Sequence, residues 1–536
     1  MSTYHDIQIL KRRALSGRPD SKLAVHELCS ALIESDDPYT IVDTLPAVTR
    51  FLSDHRPPPV NKDLVLDLNN VSLESQPIIV ALSVFTAIQR GAATSVEIPP
   101  LQTSAMLCLR KNWVDLFAWS SFLVKSFVER DLDLHQALTR IGYEVLRTVL
   151  ELFSTLQMLG GIRSQEIRAI EEAGDLFVRV HLYALFVEPS MVSDTMWVAD
   201  EFSAIMVDEF LNDWDDLWGG IYLRNVQNFN PVFIPAIARI LCRLTLDRPL
   251  NYNMLPGRFQ VLCNVIARSD AFNGGLLQHR TVYFTTHLIR HVSKVLSHPE
   301  TGPVSLNNLH IIRTWRWSVQ YLFLAFSYDG YDSIILAVES GLLKALWRFS
   351  KIAMEKSNQG TLSLGIPELF GNLVGLIQAS TIYRSIHKPL DSLLSKAPLN
   401  EVVESTDGSL EPENLWGLFK SLVLYRSDLR KQLEVTKIKL CSNVERCIDW
   451  VKKLHDGLPR TVEERDLKLA RSSIELELWA ARSHLLQRQI DHPKRSADDV
   501  LINLVDFSTL HGRWLWTSGP WMRPGKPCRM SIGILR

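Results

Sequence analysis

Apolar residues recur at three- and four-residue steps through most of the chain, the spacing that gathers them on one side of an α-helix. From residue 140 onward Ile141, Val145, Val149, Phe153 and Leu156 form such a stripe, and Arg140, Glu144, Arg147 and Glu151 take the other side. Gly160 and Gly161 end it, because glycine accepts the left-handed conformation that closes a helix. The period resumes after Ser164, with Glu166 early in the next first turn. The predicted unit is helix, glycine turn, helix. It returns further on: Trp317, Tyr321, Leu322 and Phe326 make one stripe, Asp329 and Gly330 a turn, Ile334 to Val338 a short helix, Gly341 its cap, and Leu342 begins another helix. The alternation of a half-buried strand is mostly missing. The best strand candidate is LINLVDFS, 501–508, with Ile502, Leu504 and Val505.

The fragment ILAVESGLLKALWRF resembles the inter-helix turn of armadillo-type repeats, where a glycine after a short helix lets the next one fold back. No strict period runs through the whole chain, so the expected fold is all-α: an irregular armadillo/HEAT-like helical array (an α-solenoid) over residues 1–400. Extended or loop-like punctuation falls at RPPPV, 56–60, and at 298–308. EVVESTDGSLEPE, 401–413, is acidic and turn-rich and reads as a linker. Beyond it a small helical C-terminal part is expected over 414–510, with one helix from Glu413 to about Leu440, another from roughly Thr461 to Ile490, and one or two short strands. Residues 511–536 change composition abruptly and read as a disordered tail.

Composition narrows the class without naming a reaction. With 536 residues, 46% hydrophobic and 22% charged, the chain has the make-up of an ordinary globular protein large enough for more than one core. Lys and Arg number 58 against 59 for Asp and Glu, so a net charge of -1 provides no global field toward nucleic acid or an anionic membrane. Seven scattered cysteines suit reduced thiols and an intracellular setting, cytoplasmic or nuclear. The N-terminal MSTYHDIQILKRRAL lacks the apolar core of a secretory signal. The most apolar stretch, Ile78 to Ile88, is expected to be too short for a bilayer, which takes about 20 residues to cross.

The densest group of metal-type ligands is KLCSNVERCIDWVKKLHDGLP, where Cys441, Cys447 and His455 lie within fifteen residues, with Asn443, Asp449 and Trp450 between them. This segment and the helical region before it resemble the MYND-type zinc-finger proteins of mushroom-forming fungi. In that family a finger opens with C-x-N-x-x-C and closes with a Cys, an Asp-Trp pair, a His and a last Cys. Cys441 with Asn443 is similar to the opening, and Asp449, Trp450 and His455 to the closing arm. ELELWAARSHLLQRQIDHP and LINLVDFSTLHG resemble the elements that follow the finger. The opening pair here is C-x5-C and the central cysteine pairs are missing, as if most of the finger were deleted. The resemblance implies two zinc ions held by seven Cys and one His, and recognition of proline-rich peptides. This chain has two Cys and one His there, so the expectation is a remnant with Cys441, Cys447 and His455 as the only metal candidates and zinc as the only cofactor in question.

Other constellations carry less. His287 and His291 in YFTTHLIRHVSKVLSH share a helix face, but Leu288 stands where the zinc-protease pattern needs Glu, and His298 is seven residues further on. A polar or groove-facing helix side is the expected reading. Asp208, Glu209, Asp213, Asp215 and Asp216 alternate with Phe210, Trp214, Leu217 and Trp218, a solvated acidic face over an apolar stripe, with a basic partner peptide as the functional alternative and an acid/base site as the enzymatic one. The paired glycines 160–161, 219–220 and 274–275 fit no phosphate-binding pattern. The tail from Gly512 interleaves basic and Trp residues, a pattern that can bind single-stranded nucleic acid or a membrane interface, but its abrupt change of composition favours the disordered reading. The resulting expectation is a non-enzymatic scaffold that binds a protein or peptide partner through a concave helical surface. No small-molecule substrate, nucleic acid or membrane is expected.

Overall fold

The computed structural model describes residues 2–16, 21–61, 76–159, 171–192, 216–297, 306–329, 331–357, 366–381, 384–395 and 412–436. Among them there is helix and no strand, so the all-α class is what the fold shows. The strand candidate at 501–508, the tail and residues 401–411 of the expected linker lie outside the described residues. The chain divides between His279 and Arg280 into two compact units.

The first unit opens with α1 (Ser2–Ala14), α2 (Ser21–Glu34) and α3 (Pro38–Asp54), which pack on one another. The start of α3 is fixed locally: the Asp37 carboxylate accepts from the backbone N–H of Tyr39 at 3.2 Å and of Thr40 at 3.3 Å. Pro38 follows at the first helical position, where its missing N–H costs nothing. These bonds, the Thr40 hydroxyl foremost, hold the Asp37 carboxyl below its ordinary range. Next comes α4 (Gln76–Ser95), apolar nearly all round, with Ile78, Ala81, Val84, Phe85 and Ile88 at 0% exposure. Its 20 residues are long and apolar enough to cross a bilayer, which corrects the expectation of a shorter run. In the fold that length serves a core helix, packed against α2, α3, α5 (Pro99–Lys111) and α8 (Arg140–Met158). Burying each large aliphatic or Phe side chain of this kind contributes about 1.5–3 kcal/mol.

After α5, α6 (Trp113–Leu123) runs into a six-residue π-helix, Val124–Glu129, and then α7 (Arg130–His135). Asp131, 1% exposed, accepts from the Thr139 N–H at 3.0 Å and from the Thr139 hydroxyl, which anchors the start of α8. The predicted stripe of α8 is present, with Val145, Val149, Phe153 and Leu156 buried, while Arg147 pairs with Glu144 at 2.8 Å along the half-exposed side. Gly160 and Gly161 lie outside the described residues. Beyond them α9 (Glu171–Tyr183) packs on α8, where Phe177 meets Phe153 edge-on at 4.2 Å. The unit ends with α10 (Asp216–Gln227), α11 (Ile234–Leu246), α12 (Leu255–Ile266) and α13 (Asp270–Gln278), joined by an edge-to-face cluster of Phe186, Phe229, Phe233 and Phe272.

The second unit contains α14 (Thr281–Leu296), α15 (Leu306–Asp329), α16 (Tyr331–Glu339), α17 (Leu342–Ser357), α18 (Ile366–Ser380), α19 (Arg384–Leu394) and α20 (Pro412–Thr436). The predicted short helix, glycine and following helix are all found. Gly341 adopts φ +90, a conformation that L side chains rarely enter, and this lets α17 fold back from α16. In α15, Tyr321, Leu322 and Phe326 are buried as expected, but Trp315 takes the core place expected of Trp317. Trp315 stacks on Phe349 of α17 with ring centroids 3.6 Å apart, whereas Trp317 is half-buried with the Arg316 guanidinium over its ring. A second aromatic group, Trp347, Trp416 and Phe370, joins α17, α20 and α18, and the Trp416 indole N–H donates to Ser350 Oγ at 3.1 Å.

Candidate functional site

Cys441, Cys447 and His455 lie outside the described residues, as do His298, Asp208, Glu209, Asp213 and Asp215; Asp216 begins α10. Among the described residues no three His, Cys, Asp or Glu side chains gather closely enough to hold a metal ion. The described sequence candidates are therefore His287 and His291.

Both stand on the half-buried side of α14, one turn apart, and the Tyr283 ring lies 4.4 Å from the His287 ring. The same side carries Phe284, Arg290 and Lys294, the last two exposed. Why this side stays open follows from the sequence: Val282, Thr285, Thr286, Leu288, Ile289 and Val292 form the buried side, and the half-buried or exposed positions 283, 284, 287, 290, 291 and 294 are aromatic or basic. No acidic residue occurs anywhere in α14. Arg290 Nη1 donates to the Ser340 carbonyl at 2.9 Å, which satisfies the last turn of α16, and its Nε lies 3.3 Å from where a side chain on Gly341 would begin. The open side of α14 thereby runs past the start of α17. One and two turns into α17 stand Lys344, exposed, and Arg348, half-buried.

In the first unit several cations meet a carboxylate. There Lys11 pairs with Asp43 at 2.7 Å, Arg50 with Asp54 at 3.1 Å and Arg243 with Glu188 at 2.7 Å. Lys294, Lys344 and Arg348 have no ion pair among the described residues. Sequence reading singled out the two histidines but not the cations around them. The available signal was the lack of Asp and Glu from residue 281 to 297, but the approach of Arg290 to Gly341 spans about fifty positions and leaves no local trace.

The first unit offers two further features. A cleft of about 360 Å³ opens between α1, α2 and α3, with Leu15, Val25 and Phe51 along its floor and Lys22, Arg50, Asp54 and His55 at its edge. Arg50 and Asp54 neutralise one another, which leaves Lys22 as the cation of the lining without an ion pair among the described residues. Elsewhere Glu129, at the end of the π-helix, pairs with Arg179 and accepts from the Tyr183 hydroxyl at 3.2 Å. Arg179 also reaches Asp175 at 2.9 Å, and Asn225 of α10 donates to the same carboxylate at 2.9 Å. Burial, and then the Glu129 charge, push the Tyr183 phenol upward, which suits a hydrogen-bond donor and not a nucleophile. This network fastens three helices together.

No protein-family model matches the chain, and no curated protein does. Among solved structures it is similar to a crystal structure of an engineered protein, at 14% identity over 78% of this chain and 99% of that one, with a TM-score of 0.31. A likeness at that level has no bearing on fold or function.

Proposed function

We propose that the chain is a non-enzymatic, intracellular protein-interaction scaffold whose helices stack as an irregular armadillo/HEAT-like array. One observation supports this reading above others: the order of pairing in the second unit. There α14 packs on α17, α15 on α18, α16 on α19 and α17 on α20, each helix against the one three places later. A short helix of 9 or 11 residues, α16 or α19, opens each of the later groups. Such regular addition of neighbours is how a solenoid grows, and it leaves extended surfaces suited to binding peptides. The test is a titration of the purified full chain against an array of overlapping peptides. The reading expects a subset of peptides to be retained, displaced by the same peptides free in solution. Uniform failure to retain any peptide, or turnover of a substrate from a broad hydrolase and transferase panel, would sink it.

A second reading, a zinc-binding MYND-like protein, rests on Cys441, Cys447 and His455. Two thiolates and one imidazole supply three donors where structural zinc takes four. We therefore expect metal analysis of the purified protein to give well under one zinc per chain, and Cys441→Ser to leave that figure unchanged. Stoichiometric zinc lost on Cys441→Ser would instead favour a working finger.

A further inference from the structure

We propose that the open side of α14, together with the start of α17, is the seat of an acidic peptide segment from a partner protein; this rests on the scaffold reading and adds the partner's chemistry. Four cations, Arg290, Lys294, Lys344 and Arg348, lie along two packed helices. Arg290 keeps its charge while holding the Ser340 carbonyl, and the other three have no carboxylate among the described residues. Glu339, exposed at the end of α16, is the acid nearest in sequence to that junction. This ridge thus retains a larger excess of positive charge than the cleft of the first unit, where Lys22 alone is without a carboxylate among the described residues.

The choice between an acidic peptide and nucleic acid follows from number and geometry. Nucleic-acid strands are held by long basic tracks with aromatic faces open for base stacking. Here the cations are few, and the Tyr283 ring is engaged by Phe284 at 5.8 Å and His287 at 4.4 Å, so its faces are partly taken. With a net charge of -1 the whole chain has no long-range attraction for a polyanion. A short segment with three or four carboxylates spaced among apolar residues matches the charge and can rest its apolar side chains on Tyr283 and Phe284. Burial of such aromatic and Arg contacts is where interface energy concentrates.

The test uses the full chain and a fluorescein-labelled twelve-residue peptide that alternates Glu and Leu, followed by polarisation at low and moderate salt. A Gln-for-Glu version and a single-stranded twelve-nucleotide DNA serve as comparators. The acidic peptide is expected to bind, to weaken as salt is raised, and to lose about tenfold or more in affinity in Lys294→Glu/Lys344→Glu. Both substitutions are at exposed sites, so the melting curve should not move, and Lys22→Glu in the first unit should leave binding intact. Equal binding of the Gln peptide, tighter binding of the DNA, or an unchanged affinity in the double variant would overturn the proposal. If the array retains other peptides while the acidic probe fails, only this inference falls; if nothing is retained, the scaffold reading falls with it.

Discussion

At the scale of single residues, two buried positions have consequences that can be measured. His181 on α9 is fully buried, and that burial together with the nearby Arg258 guanidinium lowers its pKa from 6.5 to about 3. The unfolded chain takes up this proton near its ordinary pKa, while the folded chain does not until far lower pH. Below about pH 6 the unfolded state therefore binds more protons, and stability falls on acidification by about 1.4 kcal/mol per pH unit toward pH 4. Denaturant unfolding of wild type and His181→Gln at pH 7, 6 and 5 checks this, since the variant should have a slope shallower by one proton. Equal slopes would assign the effect elsewhere. Gly142 sets two effects against each other. Helix propensity alone favours Gly→Ala by about 1 kcal/mol. A Cβ there, however, would collide with the Asp131 carboxylate, which is buried and holds Thr139 at the start of α8. Overpacking of about 1–3 kcal/mol and the disturbed cap outweigh propensity, so Gly142→Ala should destabilise by about 2 kcal/mol in equilibrium unfolding. Neither effect was legible in the sequence, because each depends on a partner that the fold brings from another element.

At the scale of elements the sequence was more informative, for a simple reason. Helix periodicity is a local property, and α8, α15, α16 and α17 all fall where the apolar spacing places them. Where the reading slipped, tertiary packing decided. Trp315 and Trp317, two residues apart, project about 200° from one another on α15, and Trp315 is on the side that packs on Phe349. The π-helix Val124–Glu129 was invisible for the same reason: its wider turn is a poor choice in isolation, and contacts from other elements must sustain it. Glu129 supplies such contacts, through Arg179 and Tyr183 some fifty residues away. Glu129→Gln should weaken the tie to α9 and cost about 1–2 kcal/mol, discounted because the pair is partly solvated. Amide exchange in α9 and the π-helix should rise together, while exchange in α14 to α20 should stay as it was. Exchange unchanged in the π-helix would mean that its geometry is set by apolar packing alone.

At the scale of the molecule, the division between His279 and Arg280 comes where no proline or glycine occurs between Gly275 and Pro299, so composition gave no sign of it. Linker-like residues announce flexible connections, but they do not announce where two cores part company. Each unit has its own large buried side chains: Phe85, Trp119 and Phe259 in one, Trp315, Tyr321 and Trp416 in the other. A chain of this length exceeds what a single cooperative core usually spans. Equilibrium unfolding should therefore proceed in two transitions, each belonging to one unit. Paired substitutions distinguish this from a single broad transition. Gly142→Ala disturbs a junction inside the first unit, whereas Gly341→Val forces a branched side chain into φ +90 against Arg290 inside the second. Each variant should shift one midpoint and leave the other in place, and the double variant should shift both additively, since the sites share no partner. A single transition displaced by either variant alone would mean that the two cores fold as one, and the acidic-peptide ridge on α14 would then have to be sought as a property of the whole chain instead of the second unit.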